Sequence, residues 1–158
     1  MNSKNPSQPQ TYSCEAEIPE GLEVIAHDEI QRHLGRRLKK LDEPKSGSIR
    51  FDYQGDLHLL LGLRTVQAVY LHQFFPVPRP RALLGDQHFR TLLRHIAAVR
   101  ALDSPPAVQT FYVSAAGSES SVMTRLKTEL AAATGLKSAD DEGDLRSEER
   151  RVGKECRL

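Results

Sequence analysis

Apolar residues along this chain change period several times, and each change marks an expected element. Tyr12, Cys14, Ala16 and Ile18 recur at every second position, which predicts a half-buried strand over Thr11 to Ile18, ended by Pro19. From Glu20 to Arg37 the apolar positions Leu22, Ile25, Ala26, Ile30 and Leu34 follow a helical repeat and predict one buried helix face. Arg36, Arg37, Lys39 and Lys40 come at and beyond its end, where positive charge offsets the helix dipole. After a turn at Pro44, Ser46 and Gly47, the alternation of Ile49, Phe51 and Tyr53 predicts a second strand closed by Gly55. Asp56 is a suitable N-cap for a helix running through Leu57, Leu60, Leu61, Arg64 and Thr65. A strand-like run from Val69 to Phe75 meets Pro76, Pro78 and Pro80. Phe89, Leu92, Leu93, Ile96 and Val99 then line one face of a helix over Leu83 to Leu102. Beyond Pro105 and Pro106 come a strand over Val108 to Ala115 and a helix over Ser121 to Thr134, stopped by Gly135.

This order of elements predicts an α+β chain. Residues 11–102 form a small sandwich with an antiparallel sheet covered on one face, and the strand and helix at 108–136 open a second α/β unit. That unit has no visible second half, so an unpaired strand edge and an uncovered helix face are expected.

Periodicity stops at Leu145. The thirteen residues from Arg146 carry five basic and three acidic side chains, with Val152 and Leu158 as the only aliphatic residues, too little apolar surface to order a segment. Arg146 to Arg157 resembles the peptide translated from a short-read sequencing adapter, which puts the expected end of the natural frame at Leu145 and makes residues 146–158 a foreign or disordered tail. The full chain has a formal charge of +1, and residues 1–145 alone come to −1. This balance argues against a uniformly basic nucleic-acid coat but leaves room for a local basic face. Cys14 is the one thiol before the tail, so no internal disulfide framework is expected and a reducing, cytoplasmic setting fits. Residues 1–10 read as a polar, disordered leader without an apolar signal core, and no run approaches a membrane span.

Candidate chemistry is sparse. His27, His33, His58, His72, His88 and His95 are scattered without metal-ligand spacing. Asp140, Asp141, Glu142 and Asp144 lack the spacing of a calcium loop and read as solvated. Ser114, Ser118, Ser120 and Ser121 lie near Gly117 but form no G-x-S-x-G elbow, and no glycine-rich phosphate loop is present. Cys14 falls on the buried side of its strand, as an inert core thiol would. No catalytic or metal residue is therefore assigned.

Gly21 to Ile30 (GLEVIAHDEI), Gly47 to Leu71, including the triplet Leu63-Arg64-Thr65, and Thr110 to Leu136 resemble, in order and spacing, the N-terminal region of THUMP-containing RNA methyltransferases. The resemblance implies a ferredoxin-like domain over residues 11–102 followed by the truncated start of an α/β THUMP domain over 108–145. It also implies that the chain is the front part of an enzyme that holds structured RNA, tRNA or rRNA, and methylates it from S-adenosylmethionine, often at guanine N2. DNA and membranes are not expected partners. The family's methyl-donor glycine loop and its Asn/Asp-Pro-Pro-Tyr/Phe motif are absent; Ser104-Pro105-Pro106-Ala107 does not replace the latter. The cofactor is thus expected of the full-length parent and not of this chain. Candidate phosphate contacts are Arg64 in the triplet, Arg90 and Arg94 four apart on one helix face, and Arg125 and Lys127 on the last helix. Each competes with a plain reading as a solvated charge or local ion pair, and Arg64 also with a role bracing the strand that follows. Two other readings stay open: the RNA-recognition region of an enzyme with another chemistry, thiolation or deamination, and a ferredoxin-like interaction domain without an RNA role.

Overall fold

The computed structural model describes residues 10–75, 80–102, 108–115, 119–148, 150–152 and 155–157. The leader, the proline-bearing segments at 76–79 and 103–107, and Gly117 with Ser118 lie outside the described residues. The chain divides between His72 and Gln73 into two compact units.

The first unit contains β1 (Thr11–Glu17), α1 (Glu23–Leu34), β2 (Leu38–Leu41), β3 (Ser48–Gln54) and β4 (Ala68–Leu71). Its sheet has the order β2-β3-β1-β4, with every neighbouring pair antiparallel. β1 and β2 therefore run parallel to each other on either side of β3 and are joined through α1, the split βαβ arrangement of ferredoxin-like folds. The register pairs Cys14 with Phe51 and Ala16 with Ile49, which puts all four on one face. Ala26, Ile30 and Leu34 recur every fourth residue along α1 and bury the helix there; Ile18, Ile49, Phe51 and Tyr53 complete the core. Each large side chain buried this way contributes about 1.5–3 kcal/mol, and Phe51→Ala would cost about 3–5 kcal/mol.

Three local expectations change here. Ile25, expected on the buried face of α1, is 52% exposed. The helix stops at Leu34 and not at Arg37, because Gly35 has a φ of +50°, leaves the helical backbone and puts Arg36 and Arg37 in a 3-10 turn. Lys39 and Lys40 then lie on β2, an edge strand, where exposed lysines discourage pairing with another chain. The helix expected after Asp56 is a 3-10 turn over Leu57–Gly62, with Leu57 and Leu60 buried. A three-residue spacing of buried positions is the repeat of that tighter helix. Asp56 does act as its cap, accepting the His58 backbone N–H at 3.0 Å.

The second unit contains β5 (Phe74–Phe75), a 3-10 turn over Pro80–Leu84, α2 (Asp86–Arg100), β6 (Thr110–Ser114), α3 (Ser121–Thr134), β7 (Lys137–Ser138), β8 (Leu145–Glu148), β9 (Arg150–Val152) and β10 (Glu155–Arg157). β6 is the middle of a three-stranded parallel sheet, with β7 and β8 as its neighbours, and β5, β10 and β9 pair antiparallel in a second small sheet. Leu83, Leu92 and Ile96 form one apolar core with Phe111, Val113, Met123, Leu126 and Leu130. Ser120 caps α3 by accepting the Met123 N–H, and Gly135, at a φ of +71°, ends it as expected. The Arg100 guanidinium at the end of α2 donates to the Thr134 carbonyl at 2.9 Å, placing positive charge where the α3 dipole is negative.

The units differ in extent from the sandwich expected over 11–102. The ferredoxin-like sheet closes with β4 at Leu71, and the expected strand Val69 to Phe75 is divided between β4 and β5. α2 belongs to the second unit, because its apolar face packs with α3 and β6. β6 is paired on both sides, in place of the open edge expected for it. Leu145–Glu148 forms β8 across the expected start of the tail, with Leu145 packed against the core and Tyr112 paired with Arg146.

Candidate nucleic-acid interface

In the first unit, the segment between the Leu57–Gly62 turn and β4 is tied to α1 by one carboxylate. Glu29 Oε1 accepts the Arg64 backbone N–H at 2.9 Å, and Oε2 accepts the Thr65 N–H at 2.9 Å as well as the Thr65 hydroxyl. Burial pushes the Glu29 carboxyl up, but the Thr65 hydroxyl and the two amides outweigh this and hold it below the usual carboxylate range. One helical turn on, His33 Nε2 lies 2.9 Å from the Leu59 carbonyl. A Cβ at Gly62 would meet that ring at 2.8 Å, so a side chain there would displace the exposed imidazole from the Leu59 carbonyl. The Thr65 side chain and the backbone of both residues make these contacts, not the Arg64 side chain. Arg64 is exposed, and among the described residues nothing pairs with its guanidinium.

The other expected phosphate contacts all belong to the second unit. Arg90 and Arg94 lie on the face of α2 opposite Leu92 and Ile96, both exposed. Arg90 is paired with Asp86 at 2.9 Å, and Arg94 donates to the Thr91 hydroxyl at 3.0 Å. On α3, Arg125 reaches Glu129 only at 3.7 Å. Lys127 is half-buried on the other flank of the buried Leu126. Residues two apart on a helix do not share a face, so Arg125 and Lys127 do not act as one patch, whereas Arg90 and Arg94 can.

Carboxylates carry geometry that sequence reading missed. Asp144, expected to be solvated with its acidic neighbours, is exposed, yet its Oδ2 accepts the Gln109 N–H, the Thr110 N–H and the Thr110 hydroxyl at 2.8–2.9 Å, and its own N–H donates back to that hydroxyl at 3.0 Å. The Gln109 amide, then the Thr110 hydroxyl and amide, hold this carboxyl below its ordinary value. Glu29 and Asp144 each act across more than thirty residues, and no local signal marks such pairs. Among the described residues no three His, Cys, Asp or Glu side chains gather as a metal site would need. Cys14 is fully buried, and loss of solvation, then the nearby Asp52 charge, push its thiol up to about 12, which makes it unreactive. Among the described residues no helix is long and apolar enough to cross a membrane.

The turn between β1 and α1 is closed by Glu23. Its carboxylate accepts the Gly21 N–H at 2.8 Å and the Gly47 N–H at 3.4 Å.

The fold is thus α+β, a ferredoxin-like antiparallel sheet followed by an α/β unit. Similar solved structures are TrmN from Thermus thermophilus (TM-score 0.57, 19% identity, covering 94% of this chain and 44% of that one) and a 4-thiouridine synthetase in complex with RNA and ATP (TM-score 0.56, 12% identity, 94% and 40%). A predicted N6-adenine-specific DNA methylase from Listeria monocytogenes is also similar (TM-score 0.51, 17% identity, 94% and 40%). The chain spans less than half the length of each. No family model and no curated protein sequence matches it.

Proposed function

We propose that this chain is the RNA-holding front part of an RNA-modifying enzyme, and specifically of an S-adenosylmethionine-dependent RNA methyltransferase directed at guanine N2 in tRNA or rRNA. The observation that carries the RNA reading is the likeness, over 94% of this chain, to a 4-thiouridine synthetase crystallised with RNA. The methyltransferase reading adds the sequence resemblance around Leu63-Arg64-Thr65 and the likeness to TrmN. The cofactor and the catalytic residues are assigned to the rest of the parent protein. Cys14, the one thiol before Arg146, is buried, which suits a reducing cytoplasm.

A second reading has its own support: the thiouridine synthetase aligns as well as TrmN, so a thiolating parent is the competing proposal. Nucleoside mass spectrometry of tRNA and rRNA from cells lacking the gene separates the two. Loss of N2-methylguanosine is the expected result, and loss of 4-thiouridine with N2-methylguanosine intact would replace the methyltransferase reading. An unchanged nucleoside profile would count against both.

A further inference from the structure

We propose that Glu29 is a positioning residue for RNA contact: by binding the backbone of the Leu63-Arg64-Thr65 turn, it leaves the Arg64 guanidinium projecting outward for an RNA phosphate. This rests on the RNA-holding reading above and deepens it. The geometry separates the triplet's two jobs. Leu63 is buried and anchors the turn from below, while Thr65 and two amides hold the turn to α1 through Glu29. Only the Arg64 side chain is left over, exposed and, among the described residues, unpaired.

The hydrogen bonding favours the same division. Glu29 stays ionised, but both its oxygens are taken up by N–H and O–H donors of the turn and not by the Arg64 guanidinium. Asp56, on the neighbouring turn, is likewise engaged by the His58 N–H at 3.0 Å and by the His58 ring at 2.8 Å. Fixing the backbone of Arg64 before binding lowers the ordering cost of the contact, which is how a single arginine on a short turn can matter.

A double-mutant cycle tests this with the 158-residue chain and bulk tRNA, measured by filter binding from about 50 to 300 mM salt. The wild-type chain is expected to bind with a salt-dependent affinity. Arg64→Ala should weaken binding about three- to tenfold and reduce the log–log salt slope by about 1. Glu29→Gln should weaken binding about two- to fivefold when Arg64 is present and have no effect in the Arg64→Ala background, because it acts through that side chain. Equal losses in both backgrounds would make Glu29 a structural brace only and overturn the proposal. So would wild-type affinity for Arg64→Ala, and either result would leave tRNA binding by the wild type intact. Failure of the wild type to bind would sink the RNA reading and this proposal together. Should far-UV circular dichroism show Glu29→Gln unfolded, Thr65→Val removes one donor and enters the same cycle with the same two outcomes.

Discussion

A single carboxylate that accepts two amides and a threonine hydroxyl occurs in each unit of this chain, Glu29 in the first and Asp144 in the second. Both stay ionised to lower pH than an unfolded chain would allow. A depressed folded value means that their contribution to stability is complete above the ordinary carboxylate range and is lost as pH falls through the folded value. Glu29→Ala is expected to cost about 1–3 kcal/mol at pH 7, by leaving amides unsatisfied. The gap in melting temperature between that variant and the wild type should close as the pH is lowered toward 3, and a gap independent of pH would contradict the assignment. At the other extreme of reactivity, Cys14 should resist alkylation in the folded chain and react only in denaturant, as mapped by mass spectrometry. Its inertness was legible from alternation alone, since Cys14 shares a face with Ala16 and Ile18. The two carboxylate clamps were not, because sequence periodicity records which side a residue faces but not its partner thirty or more residues away.

Elements with self-contained signals were the ones that could be read. α3 was legible because its buried stripe and the left-handed glycine that ends it lie in or next to its own span, whereas its cap, Ser120, went unread; Ser120→Ala should destabilise it by about 1 kcal/mol, measurable as a shift in urea midpoint. β2 was missed for the opposite reason. Leu38-Lys39-Lys40-Leu41 does not alternate, directly follows a helix, and is a strand only because β3 offers it a partner edge. The turn at Leu57–Gly62 was read as an α-helix since a pair of buried leucines three apart suits either helical repeat. Close backbone approach is equally silent in sequence. A Cβ on Gly143 would lie 2.8 Å from the Phe111 carbonyl carbon, so Gly143→Ala should force β6 away from the segment leading into β8 and cost about 1–3 kcal/mol in chemical denaturation. If that variant matches the wild type, the strand does not run this close in solution.

For the whole molecule, the fold class was legible and the partition was not. Helical periodicity shows that α2 has a buried face, but Leu92 and Ile96 could have packed on either sheet, and the order of elements favoured the nearer one. The division at His72 leaves each unit with buried apolar residues of its own. Residues 10–72 expressed alone should therefore give a single sigmoidal thermal transition, and a chain without one would show that the first core needs the rest of the protein. Of the five arginines and lysines expected to meet RNA, one is in the first unit and four are in the second.

The order β2-β3-β1-β4 also has a consequence during synthesis. β1 is an interior strand of its sheet, yet it leaves the ribosome first, and its Cys14 pairs with Phe51 on one side and Leu71 on the other. At about 5–20 residues per second, roughly 3 to 11 s separate the emergence of Cys14 from that of its last partner. β1 has two open edges until β3 follows and one until β4 does, which makes β1 the segment that a ribosome-associated chaperone would have to shield.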